Sequence, residues 1–396
     1  MNKQDYIDGA ESALLHTYNR FPVVFEKGQG CYLYDSEGKE YLDFAAGIAV
    51  NSLGYHYPGY DEALKDQIDK LMHISNLYYN EPIIEAGAKL VKASKMSKAF
   101  FTNSGTEAIE GALKAAKKYA YVRDGHADHE IIAMNHSFHG RSIGALSVTG
   151  TAHYREPFEP LMGGVKFADF NDLESVKAQI TDKTCAIITE VVQGEGGIYP
   201  AKKEFLEGLR QICDEKDIML IFDEIQCGMG RTGHYFAWQA YGVQPDIMTC
   251  AKALGCGVPV GAFVLSKKVA QASLKPGDHG TTYGGNPFVC AAVSKVFDIY
   301  ENDKIIEHVQ DMTPYLEQKL DEIVAKHECA ATRRGMGFMQ GIVIQGRPVG
   351  EVVKAALAKG LLVISAGSDV LRIVPPLVIT KEHIDKMAAI LDECME

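Results

Sequence analysis

The stretch "IMLIFDEIQCGMGRTG", residues 218–233, sets five apolar residues directly against two acids, Asp223 and Glu224. An apolar run of this length, followed by turn residues, reads as a strand buried on both faces, as in a parallel sheet. A carboxylate at its end is costly to bury unless a partner meets it. The glycine-containing turn that follows lies where open α/β sheets bind ligands, beyond the carboxyl ends of their strands.

Working outward from this segment, "KAFF" (98–101), "HEIIAM" (129–134), "CAIIT" (185–189) and "DIMTC" (246–250) read as further strands. "GTEAIEGALKAAKKYA" (105–120) and "KEFLEGLRQICDEK" (203–216) carry apolar residues at three- and four-residue spacing and read as helices. Their alternation predicts an α/β fold, a mostly parallel sheet between helices. Residues 1–60 contain "PVVFEKGQGCYLYDSEGKEYLDF" (22–44), short runs broken by turn residues, which predicts hairpin strands. The large domain is expected over 61–285. A smaller α/β domain is expected over 286–396, with strands in "GFMQGIVI" and "DVLRIVP" and a last helix in "KEHIDKMAAILDECM".

Composition narrows the function. A net charge of −12 speaks against nucleic acid or an anionic membrane as partner. No apolar stretch approaches the roughly 18 residues of a membrane helix. The start, "MNKQDYIDGAES", lacks the apolar region of a secretory signal, so a cytoplasmic location is expected. Nine cysteines without a CxxC pair read as reduced thiols. His126 and His129 in "HADH" read as a solvated loop, with no Cys or acid at metal-ligand spacing, and no metal is expected.

Chemistry is therefore sought at the strand ends. In "FFTNSGTEAIEG" (100–111), Ser104 and Glu107 form a capping-box pattern, and Gly105 would let backbone amides approach an anion at the helix N-terminus. No Walker A lysine motif or full dinucleotide fingerprint is present. In "NHSFHGRSIGA" (135–145), Phe138 offers a flat face and Arg141 a fork for a carboxylate. The acids Glu190 and Glu195 of "EVVQGEGGIYP" (190–200) could suggest a glycosidase, but a chain with one Trp offers no aromatic sugar cleft. Lys252 in "DIMTCAKALGCGVPVGA" (246–262) follows an apolar strand, where burial lowers an amine's pKa and makes it nucleophilic. A buried acid, a buried amine, an anion site and an aromatic plate together describe a pyridoxal 5'-phosphate pocket. The lysine would carry the cofactor as a Schiff base, and Asp223 would pair with its ring nitrogen. The phosphate would need further donors, and "HGTTYGGNP" (279–287) offers Thr281 and Thr282.

The ordered set "NSGTEA", "FHGR", "VQGEGG", "DEIQCGMGRTG", "AKALGCG" and "TTYGGNP" resembles the class III aminotransferases of the fold-type I pyridoxal phosphate superfamily. The likeness runs from "TYNRFP" to "LRIVPPLVI", and "DFAAGIAVNSLG" (43–54) is similar to the subgroup acting on N2-acetylornithine. The resemblance implies that Lys252 holds the cofactor and moves the substrate proton, that Asp223 pairs with the pyridine nitrogen and that Gln226 bonds the ring hydroxyl. It implies that Phe138 stacks on the ring, that the Ser104–Gly105–Thr106 turn holds the phosphate, and that Thr282 reaches the phosphate of a second subunit in a homodimer with shared sites. Arg141 would bind the substrate carboxylate with Thr281 nearby, and Tyr18 would line the substrate pocket. Glu195 would pair with Arg372 while the terminal amine of acetylornithine reacts, then release it to glutamate's α-carboxylate. Gly47, where users of free ornithine carry an aromatic, would leave room for an acyl group. Donors such as ornithine, succinylornithine, succinyldiaminopimelate and 4-aminobutyrate stay open. Val191 and Cys256 depart from the family's usual Pro and Gly.

Overall fold

The apolar runs assemble into one seven-stranded sheet in the computed structural model, which describes residues 2–396. Its strands are β1 (Lys98–Thr102), β2 (Glu130–Met134), β3 (Val165–Ala168), β4 (Thr184–Glu190), β5 (Met219–Asp223), β6 (Ile247–Cys250) and β7 (Gly261–Leu265). Across the sheet the order is β1-β7-β6-β5-β4-β2-β3. Neighbours from β6 to β3 pair in parallel, whereas β7 runs antiparallel to both β6 and β1. Every residue of β4 and β5 is buried, the pattern of central strands covered on both faces.

The helix Gly105–Asp124 covers β6 and β7, and the helix Lys203–Lys216 packs on β4 and β5. The second buries Phe205, Leu206, Leu209, Ile212 and Cys213, the apolar stripe its spacing predicts. Gly125, in the left-handed region, stops the first helix. The expected strands at 98–101, 129–134, 185–189, 218–222 and 246–250 all form; β3 and β7 are additional.

Two smaller sheets flank this core. Phe25–Gln29, Tyr32–Asp35 and Glu40–Asp43 form an antiparallel meander, and Leu361–Leu362 adds to it in parallel beside Glu40–Asp43. The other sheet, Ala330–Met336, Met339–Ile344, Val370–Ile373 and Ile364–Ala366, is antiparallel. The helix Ile305–Lys326 lies on it and also packs on the last helix, Lys381–Met395. The helix Pro287–Asn302 packs on Tyr60–Lys70 and Glu81–Ser94. Among the described residues no helix is long and apolar enough to cross a membrane.

The register of the large sheet fixes the site. Asp223 stands opposite Glu190 on one side and Thr249 on the other. Lys252 lies two residues past the end of β6, so the acid and the amine leave adjacent parallel strands at the same edge.

Candidate active site

A cavity of about 490 Å³ opens beyond the carboxyl ends of β4, β5 and β6. Its lining includes Ser104, Gly105, Thr106, Phe138, Arg141, Asp223, Gln226 and Lys252. Such a volume lies in the range of small-molecule sites.

The two acids that end β5 have separate partners. Asp223 Oδ2 lies 2.7 Å from His139 Nδ1, and Oδ1 accepts hydrogen bonds from the Ile225 amide at 3.0 Å and the Thr249 hydroxyl at 3.2 Å. Glu224 turns the other way and accepts from the amides of Ala237 and Trp238, both at 2.8 Å, at the start of the short helix Trp238–Tyr241. Burial still pushes the Glu224 carboxyl up to about 7, against those hydrogen bonds.

His139 was not foreseen from sequence, although it stands between Phe138 and Arg141. It is 2% exposed. Burial alone would lower its pKa, but the hydrogen bond and charge of Asp223, with the charge of Glu190, hold it above the ordinary value. Glu190 accepts from the amides of Gly194 and Phe138. Burial, reinforced by Asp223, nevertheless pushes its carboxyl up to about 7. The donor set around β5 was the available signal: a buried acid needs more donors than its own turn supplies.

Lys252 has a left-handed backbone, φ 47°, which sidesteps the main chain after β6. Its amine has no hydrogen-bond partner among the described residues. Burial drives it below the ordinary lysine value; Arg372 adds to this, while Glu195 and Asp223 oppose it. This lysine can therefore shed its proton and act as a nucleophile more readily than a solvated one.

Across the cavity, Ser104 caps the helix Gly105–Asp124 by accepting from the Glu107 amide at 3.3 Å. The return arm of the expected capping box is displaced by one residue: Glu107 accepts from the Asn103 amide at 2.7 Å. The Thr106 hydroxyl is engaged by Ser142, 2.8 Å away. The amides of Gly105 and Thr106 belong to the first helical turn, whose N–H groups have no intrahelical acceptor. Gly140 is required beside them: at φ 140° a Cβ there would collide with the Thr106 hydroxyl.

At the other side, Arg372, 3% exposed, forks onto Glu195 with contacts of 2.5 and 3.2 Å. Gln226 bridges them, donating to Glu195 at 3.1 Å and accepting from Arg372 at 3.0 Å. Burial would raise the Glu195 pKa, but the Arg372 charge and hydrogen bond hold it below the usual carboxylate value. Arg141 instead lies exposed at the mouth, its guanidinium 4.0 Å from the Tyr154 ring and 5.3 Å from that of Phe138.

The remaining expected residues sit apart from this cavity. Thr281 accepts from Asn103 and from the Gly284 amide, and Thr282 is exposed beside it. Tyr18 is 71% exposed, which removes a core role for it. Gly47 lines a separate apolar cavity of about 260 Å³. It belongs to a run, Ala46–Ala49, in which all four residues have positive φ. The solvated-loop reading of "HADH" needs a correction: Asp124 folds back to bring a carboxylate within 2.9 Å of His129 Nε2. Arg123 already grips both oxygens of that carboxylate at 2.6 Å.

The residues present fit pyridoxal phosphate. An amine without a hydrogen-bond partner, an acid held in place by three donors, free first-turn amides and the Phe138 face converge on one cavity of suitable size. Residues 14–395 match the family model "Aminotransferase class-III", and the chain belongs to this family. Over 98% of its length it is 47% identical to an acetylornithine aminotransferase from Clostridium acetobutylicum, covering all of that protein. Among solved structures, an ornithine aminotransferase from Toxoplasma gondii superimposes with a TM-score of 0.95 at 29% identity, over 100% of this chain and 95% of that one. An N-acetylornithine aminotransferase from Stenotrophomonas maltophilia gives 0.84 at 35% identity, over 98% of both chains.

Proposed function

We propose that this chain is a pyridoxal 5'-phosphate-dependent aminotransferase that moves the terminal amino group of N2-acetylornithine to 2-oxoglutarate, giving N-acetylglutamate 5-semialdehyde and glutamate. The observation that carries this reading is Lys252 and Asp223 leaving adjacent strand ends into one cavity with the Glu195–Arg372 pair at its side. The 47% identity to an acetylornithine aminotransferase over nearly the whole chain supports the choice of donor.

When bound, the cofactor supplies a carbonyl that takes the amino group and a ring that withdraws the electrons left when the substrate carbon loses its proton. The protein supplies the rest. Asp223 offers a fixed negative charge to a cationic ring nitrogen, and His139 with the Ile225 amide keeps that carboxylate aimed. Lys252 Nζ would tether the cofactor, and its amine, held below the ordinary lysine value by burial, would serve as the base that moves the substrate proton. The amides of Gly105 and Thr106 would hold the phosphate at the helix N-terminus. Phe138 would cover one face of the ring. Arg141 holds the α-carboxylate of acetylornithine at the mouth.

Two substrates must use one pocket. Acetylornithine presents a terminal amine on a neutral methylene, whereas glutamate presents an amine beside a carboxylate. Glu195 neutralises Arg372 for the first and swings away for the second. An Arg buried without a partner would be strongly destabilising, which is why the partner must be switchable.

A homodimer goes with this reading. Leu77 and Tyr79 are 85% and 96% exposed, and the exposed Tyr283 follows Thr282 directly. A second copy covering these side chains would bring Thr282 towards its neighbour's phosphate site. Sedimentation at micromolar concentration is expected to give twice the 43.4 kDa chain mass. A cytoplasmic location agrees with nine free thiols.

The test is spectroscopic. Acetylornithine alone is expected to change the cofactor's absorption and 2-oxoglutarate to restore it, with free ornithine, 4-aminobutyrate and succinylated donors turning over more slowly. Lys252→Ala is expected to abolish the cycle; wild-type turnover by that variant would end the proposal.

A further inference from the structure

Tyr154 lies outside every motif that the family resemblance uses, yet it holds the guanidinium of Arg141. It sits on the short helix Ala152–Arg155, half-buried, with its ring edge against Phe138 at 5.9 Å and 81°. The Arg141 guanidinium lies 4.0 Å from its ring centroid. The two segments are tied together upstream: the His139 amide donates to Thr149 Oγ1 at 3.0 Å, and the Gly150 amide to Ser137 Oγ at 2.9 Å. The Tyr154 helix is thereby fastened to the loop that carries Phe138 and Arg141.

A guanidinium resting on an aromatic ring is held through its face, so its N–H edges stay free. Among the described residues no acid lies within ion-pair distance of Arg141. Its fork is therefore oriented but not engaged, as a receptor for a carboxylate must be. We propose that Tyr154 is a positioning residue, which sets the Arg141 fork for the α-carboxylate of the amine donor. The proposal rests on the reading that Arg141 binds that carboxylate.

The ring, not the hydroxyl, carries this role, so the holoenzyme variants Tyr154→Phe, Tyr154→Leu and Tyr154→Met separate the two. Tyr154→Phe keeps the KM for acetylornithine within about twofold of wild type. Tyr154→Leu raises that KM about fivefold at nearly constant kcat, the signature of lost uniform binding. Tyr154→Met, which fills similar space without a ring, does the same and guards against a packing defect in the Leu variant. N-acetylputrescine, the same donor without its carboxylate, reacts equally well with all of them. Calorimetric titration with N2-acetylnorvaline, which keeps the carboxylate and lacks the amine, shows the same fivefold loss of affinity without turnover. An unchanged KM and affinity in Tyr154→Leu, an equal loss for both donors, or failure of Phe to rescue would each overturn the inference. Arg141→Ala tests the underlying reading separately. If it leaves the preference for acetylornithine over N-acetylputrescine intact, Arg141 is not the carboxylate receptor, whatever Tyr154 does.

Discussion

Arg372 and Arg141 flank the same cavity, and the protein handles their charges in opposite ways. Arg372 is 3% exposed, so its charge must be balanced inside the protein; Glu195 and Gln226 occupy its fork. Arg141 stands in solvent at the mouth, where water satisfies its charge, and an aromatic ring suffices to hold it. The deep side of the site is thus a network of paired charges, in which removing one member strands another. The mouth is held by uncharged aromatic contacts at the protein surface, in which losing a member weakens binding without stranding a buried charge. Substitutions in the two regions should therefore differ in kind as well as in size.

The largest effect is expected at the base of the network. Asp223→Ala removes the charge facing the cofactor's ring and leaves His139 without its acid. A fall in kcat of about 10²–10⁴-fold is expected from stopped-flow rates of the glutamate half-reaction. Asp223→Glu would not recover it, because the Ile225 amide and Thr249 hydroxyl fix where the carboxylate lies. A tenfold effect or less would mean that the network is ornamental and the contrast with the mouth unfounded.

Glu195→Ala tests the contrast itself. It leaves the buried Arg372 guanidinium without its counter-charge, donating only to the Gln226 amide oxygen and the Ser365 carbonyl. Breaking a buried pair costs about 3–5 kcal/mol, less here because the Glu195 side chain is 27% exposed. A lower melting temperature is expected, together with a shift in the ratio of kcat/KM from acetylornithine towards glutamate of about tenfold. Arg141→Ala should do the reverse: no shift in melting temperature, and a rise in KM for acetylornithine of about tenfold, the worth of a charge-assisted fork. Similar thermal losses in both variants would erase the distinction.

The same distinction governs what the sequence revealed. The deep side was legible because a polar residue at the end of a fully apolar run is conspicuous: Asp223 and Lys252 both announce themselves, and the parallel register makes them neighbours. His139 was not, because a histidine in a glycine-containing loop carries no sign of burial. β7 escaped because "GAFVL" is a short run after a segment punctuated by Gly255, Gly257 and Pro259, and β3 because the four residues "VKFA" are too few to show a period. Tyr154 could not be found: "TAHYREP" has no pattern, and its partner is thirteen positions away on another segment. The run at Ala46–Ala49 is the clearest case. Left-handed backbone costs about 1–2 kcal/mol for each residue with a Cβ, and only Gly47 is suited to it. Tertiary contacts override the propensity: Asp43 accepts from the amides of Ala45 and Ala46 at 2.9 and 2.8 Å, and the Tyr55 hydroxyl holds Asp43 at 2.7 Å.

The smallest expected effect is on the pH dependence of stability, and it too divides the regions. Glu190 and Glu224 are both raised by burial from the ordinary 4.5 to about 7. A carboxyl whose pKa is raised by folding is protonated in the native state where it would be ionised in the unfolded chain. Its contribution is fully present below about pH 4.5 and is lost as the pH climbs to about 7. The raised pKa of His139 works in the same direction. The holoenzyme's melting temperature should therefore carry a downward component between pH 5 and 8. Glu190→Gln, which keeps an acceptor for the Gly194 and Phe138 amides but cannot ionise, should make that slope shallower. Arg141→Ala should leave it unchanged, since nothing at the mouth depends on a buried proton. Calorimetric scans at three pH values decide the matter: parallel curves for wild type and Glu190→Gln would show that Glu190 ionises freely in the fold and that the deep network is less closed to water than its burial implies.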